Sequence, residues 1–298
     1  MQKSFRDLRK ETLHNANIRL VGIPFDANAS LGKGAAYAPT YLRMLSQNIP
    51  GVTKDGKLLN NISLFDYGDI TLKSKETVID YFNRVTKVVL PLFKKTGLTI
   101  FIGGDHSVNI PLFKAFLAFA KAEGKIPVLI HIDAHPDMME EYLDNPYSHA
   151  TPARHALKNG LQEENLVFVG LRGFETEEVG YFTRHPKIKI YLASDVQKQG
   201  INKITKEICE KYNNEKYAIY VSYDIDVNDP AFAPGTGTPE AFGLQSNETL
   251  TLLLSLTALK NTYALDLVEI SPPLDTNDIT SWLALKTLYE IFYVVGER

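Results

Sequence analysis

The chain has 298 residues, 44% of them hydrophobic, and a formal net charge of -3. That length buries a sizeable core, and scattered Lys/Arg nearly balanced by Asp/Glu give no electrostatic footing for nucleic acid or a membrane surface, so the expected partner is a small molecule. A single cysteine, Cys209, excludes an intramolecular disulfide, the charged stretch at 1–7 lacks the apolar run of a signal peptide, and no segment approaches the ~18 apolar residues of a membrane span, which together read as a cytoplasmic protein.

The first apolar run lies at 18–23. It is one of eight short runs rich in Val, Ile, Leu and Tyr that read as buried parallel strands. Pro39 and Arg43 mark the passage from a loop into a helix and are assigned no chemistry. A second strand follows at 62–67, and then Val78, Phe82, Val85 and Val89 recur at helical spacing before Gly97. The strand at 98–102 runs into Gly103-Gly104-Asp105-His106-Ser107. A helix opens near Pro111 and stops before Gly124, and the strand at 128–133 is closed by Asp133-Ala134-His135-Pro136-Asp137. Strands at 166–170 and 188–192 precede an amphipathic helical stretch that holds Cys209 as a packed thiol. The strand at 218–223 delivers Asp224 and Asp226, and the strand at 264–268 delivers Glu269. Leu285, Leu288, Tyr289 and Phe292 form a last helical face, with Trp282, Phe292 and Tyr293 placed either in an interface or in the core. Such alternation specifies a parallel sheet with helices on both faces. With no repeat, low-complexity tract or flexible linker, 1–298 reads as one domain.

In sheets of this kind ligands bind outside the carboxyl ends of the strands, where every acid/His cluster falls. Residues two apart on an extended chain face the same way, so Asp133, His135 and Asp137 can aim at one point, as can Asp224 and Asp226. Taken singly, each motif has a plainer use: Asp224-X-Asp226 can cap a loop, and Asp105 can be a helix N-cap. Together with His106 they supply four carboxylates and two imidazoles, a hard donor set suited to Mn(II) or a related ion and not to structural zinc. The four aspartates match the charge of two dications, so at least one should bridge. At about 3.5 to 4 Å apart, two such ions generate a hydroxide nucleophile near neutral pH. His131, two residues before Asp133, faces the same way and either supports the metal ligands or packs in the core.

With these motifs in hand, the chain resembles the ureohydrolases of the arginase and agmatinase family, and most of all the agmatinase branch. The likeness runs through 34–43, 103–107, 133–137, Tyr147 to Pro152, Ser222 to Pro230, Ala233 to Pro239 and Asp266 to Pro272. It implies a three-layer α/β/α fold around a mostly parallel sheet of about eight strands, two Mn2+ per subunit, and a homotrimer or homohexamer. His106 and Asp137 would hold one ion, His135 and Asp226 the other, with Asp133 and Asp224 bridging. His149, Glu269 and Asp137 would be the catalytic side chains. Glu269 matches the carboxylate that receives a guanidinium, a planar fork suited to paired charge-assisted contacts. His149 matches the loop histidine that moves protons between site and solvent, although a solvated loop histidine would read the same way.

The implied reaction is hydrolysis of agmatine to putrescine and urea. The loop at 138–148 carries three acids and no base, which favours the ammonium of agmatine over a substrate carboxylate. Arg154 and Arg172 are the two cations that can still reach the site. Rival readings are another guanidino-compound ureohydrolase acting on arginine, guanidinobutyrate or aminopropylagmatine, a zinc deacetylase of the same fold, disfavoured by His106 and His135, and a non-catalytic binding protein. Ala38, Ala150 and the run from Ala241 to Leu244 depart from the agmatinase pattern, and Phe242 is expected to add bulk near the 236–240 loop and reshape the pocket.

Overall fold

Fully buried β-branched and aliphatic runs cannot remain single strands, because each has two apolar faces to cover. They assemble into one sheet of nine strands in the computed structural model, which describes residues 4–6, 8–94 and 96–298; Met1, Gln2, Lys3 and Asp7 of the N-terminal stretch lie outside the described residues. The strands are β1 (Arg9–Lys10), β2 (Ile18–Gly22), β3 (Ser63–Asp69), β4 (Leu98–Ile102), β5 (Ile126–Ile132), β6 (Leu166–Leu171), β7 (Lys189–Leu192), β8 (Tyr217–Asp224) and β9 (Thr262–Val268). All described pairings are parallel, in the order β1-β3-β2-β4-β9-β8-β5-β6-β7. Eight strands fall where the sequence predicts them. The ninth, β1, is two exposed polar residues at the sheet edge, a kind of strand that a search for apolar runs passes over.

Nine α-helices among the described residues cover the sheet: α1 (Ala38–Leu45), α2 (Val78–Val89), α3 (Asn109–Ala122), α4 (Pro152–Lys158), α5 (Thr176–Arg184), α6 (Ala193–Gln199), α7 (Ile201–Tyr212), α8 (Ser246–Ala258) and α9 (Ile279–Glu297). Alternate strand residues feed two cores. Ile100, Ile130, Val221 and Leu265 pack with α1 and α6 to α9, whereas Phe101, Leu129, Tyr220 and Ala264 pack with α2 to α5. The result is an α/β/α sandwich. Phe292 is fully buried in the first core, with Trp282 and Tyr293 packed against it, and Cys209 is a half-buried thiol on α7 that burial pushes above its ordinary pKa. No helix among the described residues is long and apolar enough to cross a membrane.

Strand order places the site. After β4 the chain crosses to β5, leaving a gap that β8 and β9 later fill, so the four central strands are β4, β9, β8 and β5. Their carboxyl ends are level: Ile102 pairs with Leu267, Leu267 with Tyr223, and Tyr223 with Ile132. The residues following each therefore converge on one crevice at the topological switch point.

Candidate metal centre

The turn after β4 has to press against the end of β2. A side chain at Gly104 would put its Cβ 1.7 Å from the Phe25 carbonyl oxygen, which the Asp105 N–H contacts at 2.8 Å, so only glycine fits. Asp105 then caps the short 3-10 turn His106–Val108, accepting from the Ser107 N–H at 3.0 Å and from its hydroxyl. It stays out of the donor cluster. Burial, followed by the charge of Glu269, pushes its carboxyl up to about 7.

His106 projects from that turn into the crevice. Its Nδ1 lies 2.9 Å from Asp133 Oδ2, 2.9 Å from Asp137 Oδ2 and 3.2 Å from Asp224 Oδ2. The opposite nitrogen, Nε2, is 2.9 Å from Ser222 Oγ, whose hydroxyl is itself 2.7 Å from Asp266 Oδ1. Because Ser222 gives its proton to Asp266, it accepts from Nε2–H, and Nδ1 is the nitrogen left facing the crevice, where a bound cation would take its lone pair in place of a proton. Tyr220 and the Asn109 amide complete the partners of Asp266, each at 2.7 Å. Sequence reasoning placed Ser222 and Asp266 within motifs but gave neither a role, and it passed over Asn109. The available signal was an aspartate inside the apolar run of β9, since a buried carboxylate needs donors.

On the other side, His135 Nδ1 is 3.0 Å from Asp226 Oδ2 and 3.7 Å from Asp133 Oδ1. Asp133 takes its backbone-facing bond from the His135 N–H at 2.6 Å, and Asp224 does the same with the Asp226 N–H at 2.8 Å. Each Asp-X-His or Asp-X-Asp step thus orders itself. Asp137 and Glu269 sit at φ +52° and +60°, a left-handed backbone that is costly for such residues and that clusters at functional sites.

His131 packs as expected for a supporting group. Its ring stacks on that of His106 at 4.7 Å, and Nε2 is 2.9 Å from Asp133 Oδ2.

Whether these residues fit a pair of dications can be judged from what the protein leaves unsatisfied. His106 Nδ1, Asp133 Oδ2 and Asp226 Oδ2 are buried without a well-aligned hydrogen bond; they crowd against one another and against the rings of His131 and His135, which is costly unless something else takes their lone pairs. Two groups have donor atoms spaced for an ion, His106/His131/Asp133/Asp137 and Asp133/His135/Asp226, and Asp133 belongs to both. Asp224 completes the predicted six from its position beside His106. Burial and the neighbouring Asp226 and Asp133 raise Asp224 well above the usual carboxylate range, whereas burial of His106 is overcome by Asp133, Asp137 and Asp224, which hold it well above the ordinary histidine range. Without cations, these groups share protons to relieve repulsion. The donor set fits two hard dications.

A cavity of about 330 Å3 opens above the cluster, lined by His135, Asp137, His149 and Glu269 and by Met139, Tyr142, Phe174, Glu175, Glu178 and Glu240. His149 Nδ1 is 3.0 Å from Glu269 Oε1, which also accepts the His106 N–H at 2.8 Å. Burial works against a charged His149, but Glu269 beside it brings the pKa up to about 9; bound dications would act in the opposite sense.

The acidity of the cavity comes from a different place than the sequence predicts. In the 138–148 loop, Glu140 is paired with Arg154 and Lys158, and none of the three acids lines the cavity, to which the loop contributes Met139 and Tyr142. Glu175 and Glu240 supply the charge instead, and beside them lies Glu178, whose carboxyl burial pushes up to about 7. Neither candidate cation reaches the site: Arg154 lies over Tyr181, and Arg172 spends its donors on backbone carbonyls, including those of Asp226, Val227 and Glu240. Phe242 also departs from expectation. At φ +65° its side chain turns outward, is 80% exposed and takes no part in the cavity wall.

The model of the arginase family matches residues 16–293. The chain is 30% identical to guanidinopropionase of Pseudomonas aeruginosa over 94% of its own length and 87% of the relative's. It is 32% identical to agmatinase of Halalkalibacterium halodurans over 91% and 90%. The crystal structure of agmatine ureohydrolase of Thermoplasma volcanium superposes with a TM-score of 0.85 at 31% identity, covering 100% of this chain and 95% of that one.

Proposed function

The chain belongs to the arginase family and is a hydrolase, and from that premise we propose that it is a ureohydrolase acting on agmatine, releasing putrescine and urea. One observation carries the choice of substrate: among the described residues, the cavity wall has Glu175, Glu178 and Glu240 and no lysine or arginine. A distal ammonium is stabilised there, and a distal carboxylate would be held unpaired.

His106, Asp133, His135, Asp137, Asp224 and Asp226 hold two Mn2+ in this proposal, with His131 and the Ser222–Asp266 pair fixing the orientation of Asp133 and His106. When bound, the ions supply Lewis acidity and a water pKa near neutrality. The chain's own residues do the rest. Glu269 receives the planar guanidinium, oriented by its bond from the His106 N–H. His149, beside that carboxylate, moves a proton to the departing amine. Residues 1–298 act as one domain, and the wider reading includes a cytoplasmic homotrimer or homohexamer.

A guanidino-acid substrate is the second reading, favoured by the likeness to guanidinopropionase. Urea release by purified, Mn-loaded protein on equimolar agmatine, arginine and 4-guanidinobutyrate, with a chelated control, separates the two. Agmatine should lead by at least about tenfold, the effect of one well-placed charge of about 1.4 kcal/mol. A lead for 4-guanidinobutyrate would replace this reading with the second.

A further inference from the structure

The segment at 26–34 touches both halves of the site, and the mechanism above gives it no part. Asn28 donates its N–H to Asp105 Oδ2 at 2.9 Å and its amide to Ser107 Oγ at 3.1 Å, while its carbonyl accepts the His149 N–H at 3.3 Å. Its Oδ1 accepts from the Asn145 amide at 3.2 Å. One asparagine therefore ties the turn that carries His106 to the loop that carries His149.

Two residues further on, Ser30 reaches the ring itself. Its Oγ lies 2.8 Å from His149 Nε2, and its backbone N–H points at the same nitrogen from 3.3 Å. A backbone N–H can only donate, so Nε2 offers a lone pair, and the proton of the neutral ring sits on Nδ1, where it is given to Glu269. When His149 takes up a second proton, Nε2 needs an acceptor. The Ser30 hydroxyl turns to become one, because a hydroxyl both donates and accepts.

We propose that Ser30 is a positioning residue that holds the His149 ring in one place through both of its protonation states, with Nδ1 always directed at Glu269. The proposal deepens the ureohydrolase reading and rests on it for the reaction served. Serine suits the position because an apolar side chain would leave a charged imidazole with its Nε2–H unpaired in a part-buried wall. Ser30 and His149 both line the cavity, so the contact is part of the wall that faces substrate.

The test uses the full chain with Ser30→Ala and Ser30→Thr. Mn-loaded protein is assayed on agmatine, and the metal-free protein, labelled with 15N-histidine, is examined by long-range 15N–1H correlation at about pH 10, above the pKa of about 9 so that the ring is neutral, with His149→Asn to assign it. Ser30→Ala should lower kcat about three- to tenfold, the share of one hydroxyl hydrogen bond, with KM changed less than about twofold. The Nδ1–H signature of the neutral ring should give way to a mixture of tautomers, and Ser30→Thr should restore both readouts. An unaltered tautomer in Ser30→Ala, or a loss that threonine does not restore, overturns the proposal. If the parent chain turns over no guanidino compound, the proposed function fails while the tautomer readout still decides the role of Ser30.

Discussion

The molecule contains two charged clusters, one around a buried arginine with half-buried carboxylates and one almost wholly buried, and they solve the same electrostatic problem in opposite ways. Beside β3, Arg43 of α1 meets Asp66 at 2.8 and 2.9 Å through two nitrogens and Asp69 at 2.6 Å through a third. Opposite charges face each other and the guanidinium donors are occupied. Between β4, β9, β8 and β5, four aspartates and two histidines face each other with no arginine or lysine among them, and several of their buried atoms have no well-aligned hydrogen bond. The first cluster is complete within the chain. The second is complete only with cations, so a missing counter-charge, more than burial itself, distinguishes a site from a structural ion pair.

The largest expected effect sharpens that contrast. Asp133→Asn should abolish occupancy of at least one ion and lower urea release by about 10³-fold or more, because the shared carboxylate orders both halves; metal content by elemental analysis beside turnover checks it, and two bound ions with normal turnover would break the comparison. Arg43→Ala should do the reverse, costing about 3 kcal/mol of stability by removing the two guanidinium donors of Asp66 and one of those of Asp69 while leaving metal content per folded chain unchanged, as read by denaturant unfolding.

Glu178 offers a test between these extremes. Burial raises its carboxyl from 4.5 to about 7, so the folded chain keeps a proton that the unfolded chain has lost. Stability of the metal-free protein should therefore fall by roughly 2–3 kcal/mol as pH rises through that window, and Glu178→Gln should flatten the fall, measured by Tm between pH 4.5 and 7.5. The smallest effect is the most diagnostic. Asp226→Asn should stabilise the metal-free chain by about 1 kcal/mol, by relieving repulsion with Asp133 and Asp224, and should destabilise the metal-loaded one. A loss of Tm in both states would show the cluster to be balanced like that of Arg43.

Much of the site was legible because its residues arrive in short bursts just after apolar runs. Strand alternation alone puts Asp133, His135 and Asp137 on one side, and all six donors and Glu269 do meet in one crevice. The supporting partners were harder to read. Ser222 lies 116 residues from His106 in the chain, and the Ser30 to His149 contact spans 119, so no local pattern announces either. The acidic loop misled for a related reason: the composition of 138–148 is acidic, but Glu140 is neutralised from α4, an element whose docking cannot be read from the loop.

The sequence by itself determined the class of fold and which acids and histidines gather in one crevice, because hydrophobic period and the side-chain alternation of a strand are local properties of residues. Tertiary structure alone decided that β9 and β8 fill the gap between β4 and β5, that three glutamates from the 175–178 and 240 segments form the cavity wall, and that Phe242 faces away from it. These outcomes depend on which distant segments pack together and which way each side chain leaves the backbone, and packing is settled by the whole chain at once.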